Sequence, residues 1–307
     1  MVKFLILLWY LRKCGIYNYK KLTYTIKKNC IVQIKKIFGV CKFSIEELIK
    51  LETLFTQLKS EIKCDEMLFW GKIIGVEKDY YIAVAYYFKN FKFPKKVFYF
   101  CSSSTFIFSE LSPIQPYHLN SFSKYNTYFI GNPNIILEKY DTNNSELFNE
   151  VGDQFKPQIK KKNLTESDRL SFVVRSIEHD TSIIPIGGFK ILPSNELRRN
   201  DLFEGLSNNE IDKLEKYAHF RPVENQAKKD KIAMNKAIFD FDFLDTLNEE
   251  PVKESWTITL DSSKSIANLR SIIWPGYFAY HKANTDEFGG VYIGYGIKIK
   301  DIQFMQQ

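Results

Sequence analysis

Cysteine is scarce in this chain: five residues in 307, at 14, 30, 41, 64 and 101, with no C-x-x-C pair. An odd count without paired spacing indicates neither a disulfide framework nor a zinc knuckle, so the thiols read as free groups in a reducing compartment. On that reading the sequons at Asn143 and Asn163 carry no meaning, because they matter only in a secreted chain. Long apolar runs are missing as well. The run from Phe4 to Leu11 spans eight residues, against the roughly 20 that a membrane-crossing helix needs. Histidine is limited to four positions, 118, 179, 219 and 281, too scattered to predict a metal site. His179-Asp180 are neighbours in sequence, which gives no base-and-orienter geometry and reads as a surface turn. Asp240, Asp242 and Asp245 open like a calcium loop, but Leu244 stands where the fifth ligand should be and Asp245 where the turn glycine belongs. GGVYIGYG, residues 289–296, lacks the phosphate-loop lysine and the dinucleotide spacing, and there is no nucleophile elbow or H-E-x-x-H. No catalytic, cofactor-binding or metal-ligating residue emerges, and a non-enzymatic protein without a cofactor is expected.

Acidic residues are absent from one region. Residues 1–43 hold ten Lys and Arg and no Asp or Glu, so the formal charge of +7 becomes −3 without them. The basic balance belongs to this segment, and the body of the chain carries no global bias towards nucleic acid. Lys3 before the apolar run allows a short secretory signal, but Arg12-Lys13 follows at once where a small-residue cleavage site belongs. Lysine pairs at 20–21, 27–28 and 35–36, interleaved with Tyr17, Tyr19 and Tyr24, could grip an acidic tubulin tail or RNA. The reading preferred here is a lineage-specific or wrongly annotated extension ahead of a single domain, residues 44–307.

What is present is ample for a core: 45% hydrophobic residues, with aromatics at 16%. Ser44-Ile-Glu-Glu47 fits a capping box, and Ile45, Leu48, Leu51, Leu54, Phe55, Leu58 and Ile62 form the stripe of a helix. Next come two β-rich runs, LFWGKIIGV and YYIAVAYYF, flanking the triplet Glu77-Lys78-Asp79, which predicts a hairpin with a three-residue loop. Strict alternation would put Leu68, Trp70 and Lys72 on one face and Phe69, Gly71 and Ile73 on the other, with Gly71 admitting a close neighbour. VFYFCSSSTFIF reads as further strand, SPIQPYHLN as loop, and YNTYFIGNPN as a strand ending in a turn. Lys160-Lys161-Lys162 reads as solvated loop. Thr165 should cap a helix buried through Leu170, Val173, Val174 and Ile177 and ending near 178–181. IIPIGGFKILP fits a short strand with a Gly-Gly turn.

Ser207-Asn-Asn-Glu210 is a further capping box, predicting a helix through Ile211, Leu214 and Tyr217 that stops before Pro222. Phe239, Phe241 and Phe243 alternate with aspartates as in a half-buried strand or docking segment. Trp256, Ile258 and Leu260 predict a strand with one buried face. A short helix over 265–273 is expected to run into Trp274-Pro275-Gly276, whose proline and glycine turn it into strand. A terminal hairpin follows, YFAYH outward and VYIGYGIKI back. In it Gly294 and Gly296 lie opposite Val291, Ile293 and Tyr295, leaving a shallow channel for a neighbouring ring. The fold expected is α+β, antiparallel sheets and hairpins with several short packed helices. Trp70, Gly71, Trp274, Pro275, Gly276, Tyr292, Gly294 and Gly296 are the candidate interface or structural anchors.

FWGKIIGVEKDYYIA, SIIPIGG, FEGLSNNEIDKLEKYAHFRP, DFDFLDTLNEEPVKESWTI and LRSIIWPGYFAYH with YGIKIKDIQFM follow one another in an order and spacing that resembles the radial spoke head proteins of ciliary axonemes. The likeness covers about residues 44–307. Radial spoke head proteins 4 and 6 share parts of the FWGKI and WPG signatures but are much longer chains. The resemblance implies a structural component of the spoke head that binds proteins 4 and 6, self-associates, meets the central-pair apparatus through the assembled head, and helps relay its signals to the dynein arms. It implies neither nucleic acid nor membrane as a partner. The family commonly has arginine after the proline where this chain has Ile186, which puts any contact made by that arginine in doubt here.

Overall fold

The structure, a computed structural model, describes residues 43–88, 93–122, 124–139, 163–192, 196–234, 243–250, 252 and 254–301. The basic segment up to 42, Lys160–Lys162 and the Phe239–Phe241 alternation lie outside them. Helix α1 (Ile45–Glu61) starts as its sequence dictates: Ser44 Oγ accepts the Glu47 N–H at 3.1 Å, and the Glu47 carboxylate takes the Ser44 N–H at 2.7 Å. Strands β1 (Glu66–Ile73), β2 (Tyr80–Tyr87), β3 (Lys95–Ser102) and β4 (Ser109–Glu110) form an antiparallel meander. Leu58 of α1 packs on Met67, Ala83 and Ala85, with Phe55 and Ile62 beside it. The two alanines of β2 leave room for the helix's larger side chains on that face.

The hairpin differs from strict alternation in two ways. Trp70 is an extra residue in the β1–β2 ladder, where Phe69 pairs with Ala83 and Gly71 with Ile82. This bulge reverses the faces beyond it. Trp70 and Ile73 therefore share the main core, while Lys72 turns to the α1 face, with its Nζ 5.2 Å from the Tyr81 ring centre and 2.7 Å from Asp79. The connection also spans 74–79 instead of three residues, because its first half pairs elsewhere. Ile74 N–H donates to the Gly294 carbonyl, and Gly75 bridges in parallel to Phe129. Phe129 makes only that isolated bridge, so YNTYFIGNPN forms no regular strand.

Short elements follow. α2 (Leu119–Phe122) and a 3-10 turn at Pro116–His118 stand where loop was expected. β5 (Ile136–Glu138) pairs with β6 (Leu164–Thr165), β7 (Ile183–Pro185) with β10 (Tyr217–His219), and β8 (Phe189–Ile191) with β9 (Leu197–Arg199). Between β6 and β7, α3 (Glu166–Thr181) has the expected cap at Thr165, made reciprocal by Asp168, and buries Leu170, Val173, Val174 and Ile177. α4 (Gln226–Met234) completes the described helices.

Two predicted helices are absent. At 207–217 the capping contact forms, with Ser207 Oγ donating to Glu210 at 2.8 Å. The chain then makes only turns and a 3-10 segment before β10, because pairing with β7 buries Tyr217, Ala218 and His219 completely. At 265–273 the chain is a strand. β11 (Trp256–Leu260), β12 (Ile266–Ser271), β13 (Tyr277–Lys282) and β14 (Phe288–Gly294) form a second antiparallel run, and β12 is bonded on both edges with Ala267, Leu269 and Ser271 turned inward. Tertiary pairing overrides a weak local preference in both places.

The two runs join into one eight-stranded sheet ordered β11-β12-β13-β14-β1-β2-β3-β4. Its seam, β1 against β14, is parallel, with Gly71 opposite Tyr292, and is the one exception to the antiparallel expectation within that sheet. A Cβ on Gly71 would sit 2.1 Å from the Tyr292 carbonyl oxygen, so the seam closes only around glycine.

Candidate functional site

The last turn of α3 reaches both halves of the sheet. Glu178 accepts the Trp70 indole N–H at 2.8 Å and pairs with Lys96 of β3 at 2.5 Å. Two residues on, Asp180 accepts the Trp274 indole N–H at 2.9 Å and pairs with Lys298 at 2.8 Å. One helix end thus fixes the tryptophan of the FWGKI strand and the tryptophan of the WPG corner. A third clamp repeats the arrangement: Glu250 accepts from Trp256 Nε1 at 3.2 Å and hydrogen-bonds Ser255 and His219. All three described tryptophans donate to a carboxylate.

The electrostatics follow from this geometry. Burial alone would raise the Glu178 carboxyl, but the Lys96 charge and the Lys96, Trp70 and Ser182 donors outweigh it and hold it below the ordinary range. At Asp180 the burial effect is overcome by hydrogen bonds from His179, Lys298 and Trp274, and at Glu250 by those from His219, Ser255 and Trp256. A fourth carboxylate, Glu166, accepts from Tyr80 Oη at 2.7 Å and from the Ile130 and Gly131 N–H groups at 3.0 and 2.8 Å. These carboxylates are occupied by structural donors.

Trp70, Trp274 and Tyr292 are 7%, 3% and 1% exposed. Pro275 is exposed at the corner, and Gly276 (φ 106°) allows the turn, where a Cβ would meet the Ile293 carbonyl oxygen at 2.4 Å. The space beside Gly296 is filled from within the chain. Phe129, fully buried, lies 2.9 Å from where a Cβ there would stand, and Gly296 N–H donates to Tyr292 Oη at 2.9 Å. Beside Gly294 stand the Pro275 carbonyl and the Tyr292 hydroxyl. The anchor residues therefore meet around α3 and the seam.

Sequence reasoning passed over Glu178, Glu250, Lys96 and Lys298, and read Asp180 only as part of a surface turn. One local signal was available: Glu178 and Asp180 lie in the last turn of α3, where the helix's negative end disfavours acids, so their presence calls for compensating partners. The partners themselves, 82 to 118 residues distant, left no local trace. His179 is not in a turn but on α3, with Nε2 3.0 Å from Glu224 and Nδ1 3.2 Å from Asp180. Asp245 accepts the Glu224 N–H at 2.7 Å. Among the described residues, no group of three His, Cys, Asp or Glu side chains is placed to hold a metal, and no helix is long and apolar enough to cross a membrane.

His281 gives the fold a pH dependence. It is fully buried, its Nε2 accepts the Leu206 N–H at 3.1 Å, and burial pushes its pKa down to about 4 despite the Glu287 backbone contact. The unfolded chain takes up this proton near pH 6.5 and the folded one does not, so stability falls as pH drops through that window. About 2 kcal/mol should be lost by pH 5. The depressed carboxylates add losses only below about pH 4.5. Thermal melts from pH 7 to 5 should show this slope, and His281→Gln should remove most of it while starting from a lower midpoint at pH 7.

The family described as Radial spokehead-like protein matches residues 241–307. The chain is 34% identical over 258 residues to the human Radial spoke head protein 9 homolog, covering 83% of this chain and 90% of that one. It is 33% identical over 258 residues to the Bos taurus homolog, with the same coverage, and 30% identical over 264 residues to the Danio rerio homolog, covering 85% and 92%. Near-full coverage of these relatives, with both tryptophan signatures built into one sheet, places the chain in the radial spoke head protein 9 family.

Proposed function

We propose that the chain is a non-enzymatic building block of the radial spoke head, located in the axonemal cytoskeleton of a motile cilium or flagellum and needed for the head to assemble. In that head it binds radial spoke head proteins 4 and 6, associates with a second copy of itself, and contributes to the surface through which the head meets the central pair and relays signals to the dynein arms. Residues 44–307 form the working domain. The observation that carries the reading is the 34% identity across 90% of a relative named as a spoke-head protein. The geometry supports a structural role: its buried carboxylates hold indoles, lysines and backbone N–H groups. Rigid positioning of two sheet halves is what a subunit transmitting force requires.

A basic module binding tubulin tails or nucleic acid would have to use residues 1–43, which carry the chain's entire positive excess. A divergent relative of proteins 4 and 6 is less well supported, because the relatives found are protein 9 homologs. Salt extraction of axonemes tests these readings together. The full chain, and a chain starting near Cys41, should both fractionate with spoke-head subunits. A shortened chain that folds but leaves the head would move the function to the basic segment, and recovery of the full chain away from spoke-head subunits would contradict the proposal.

A further inference from the structure

The eight-stranded sheet ends on two very different edges. β4 is two residues long, whereas β11 presents five, Trp-Thr-Ile-Thr-Leu, with no charge, proline or bulge. Natural edge strands are normally blunted by one of these devices, since an open row of N–H and C=O groups templates further pairing. Among the described residues nothing pairs with the outer side of β11. The hydrogen-bond pattern defines that side. Asp261 N–H donates to Ile266 and Ser255 accepts from Ile272. In an antiparallel ladder the bonded residues alternate, so Thr257 and Thr259 also face β12, and Trp256, Ile258 and Leu260 point their N–H and C=O groups outward.

These three positions are symmetric about Ile258, and we propose that β11 is a self-pairing edge: two copies of this chain join antiparallel, β11 to β11, about a two-fold axis at Ile258. In this register Ile258 meets its own equivalent, and Trp256 meets Leu260 of the second copy. All outward groups of the three residues find partners. On the exposed face Thr257 of one copy stands opposite Thr259 of the other, a favourable cross-strand pair, while the half-buried Ile258 and Leu260 gain cover on the opposite face. The acidic ends do not collide, because Asp261 falls opposite Ser255 and Glu254 opposite Ser262. An isologous contact of this kind closes at two copies and does not propagate. It rests on the self-association proposed above and assigns it a surface. A five-residue pairing is smaller than a standard interface, so an isolated dimer should be weak, with a Kd on the order of micromolar.

Sedimentation of the purified full chain from about 1 to 200 µM tests this. The wild-type chain should pass from monomer to dimer. Thr257→Lys with Thr259→Lys sets like charges opposite each other and should weaken the dimer at least about tenfold. Thr257→Lys with Thr259→Glu sets opposite charges together only in the antiparallel two-fold register, and should dimerise at least as well as wild type. Both pairs lie on an exposed face, and melting curves should confirm unchanged folding. A wild-type chain that stays monomeric overturns the proposal. So does a Lys/Lys variant that dimerises as tightly as wild type, or a Lys/Glu variant no tighter than Lys/Lys.

Discussion

Trp274→Ala is expected to destabilise the chain by about 3 to 5 kcal/mol, the cost of emptying a fully buried large aromatic site. The indole is 3% exposed, donates to Asp180, and lies with its ring centre 5.6 Å from Lys298 Nζ. Its loss opens a cavity at the point where β12 turns into β13 and leaves Asp180 with one donor fewer. In a domain of this size the melting midpoint should fall by about 6 to 20 °C. Trp274→Phe keeps a six-membered aromatic ring but loses the N–H and the rest of the indole, so it should cost less than the alanine change, about 1 to 3 kcal/mol. A calorimetric scan of the three proteins should rank wild type above Trp274→Phe and Trp274→Phe above Trp274→Ala, and an unchanged midpoint for Trp274→Ala would show that the corner anchors nothing.

Lys96→Ala is the second large effect. Lys96 is the countercharge of Glu178, and it also donates to the Phe220 carbonyl and lies over the Tyr86 and Phe220 rings. Removing it leaves a carboxylate buried with the Trp70 indole as its main partner. Breaking one side of such a pair costs about 3 kcal/mol or more, whereas replacing both sides with neutral groups of similar size can be nearly harmless. Lys96→Met with Glu178→Gln should therefore be more stable than Lys96→Ala alone. That non-additivity, measured by denaturant unfolding, is the signature of a coupled pair. Equal and additive losses would reduce Lys96 to a packing residue.

The parts of the fold legible in sequence were those fixed by neighbours in sequence. The caps at Ser44 and Thr165, the stripes of α1 and α3, the FWGKI and terminal hairpins and the Trp256 strand all follow from local spacing. The failures share one cause. Residues 265–273 and 211–217 have sequences that tolerate a helix, and strand pairing claimed them instead: β11 and β13, the neighbours of β12 in sequence and in the sheet, and β7 beside β10. The bulge at Trp70 was invisible for the same reason. Its direction is set by Glu178, 108 residues away, and by Tyr292 across the parallel seam. The candidate anchors were legible as residue types, since tryptophan and glycine at strand corners mark tight geometry. That Trp70 and Trp274 converge on one helix end was not, because nothing in either motif names its carboxylate.

On the function proposed above, this two-half sheet is a required part of the spoke head. Electron cryotomography of axonemes from cells lacking the chain tests it most directly. Spoke stalks should persist while the head density is lost, and the head should be restored by the wild-type chain and poorly restored by Trp274→Ala. Intact spoke heads in axonemes lacking the chain would contradict it.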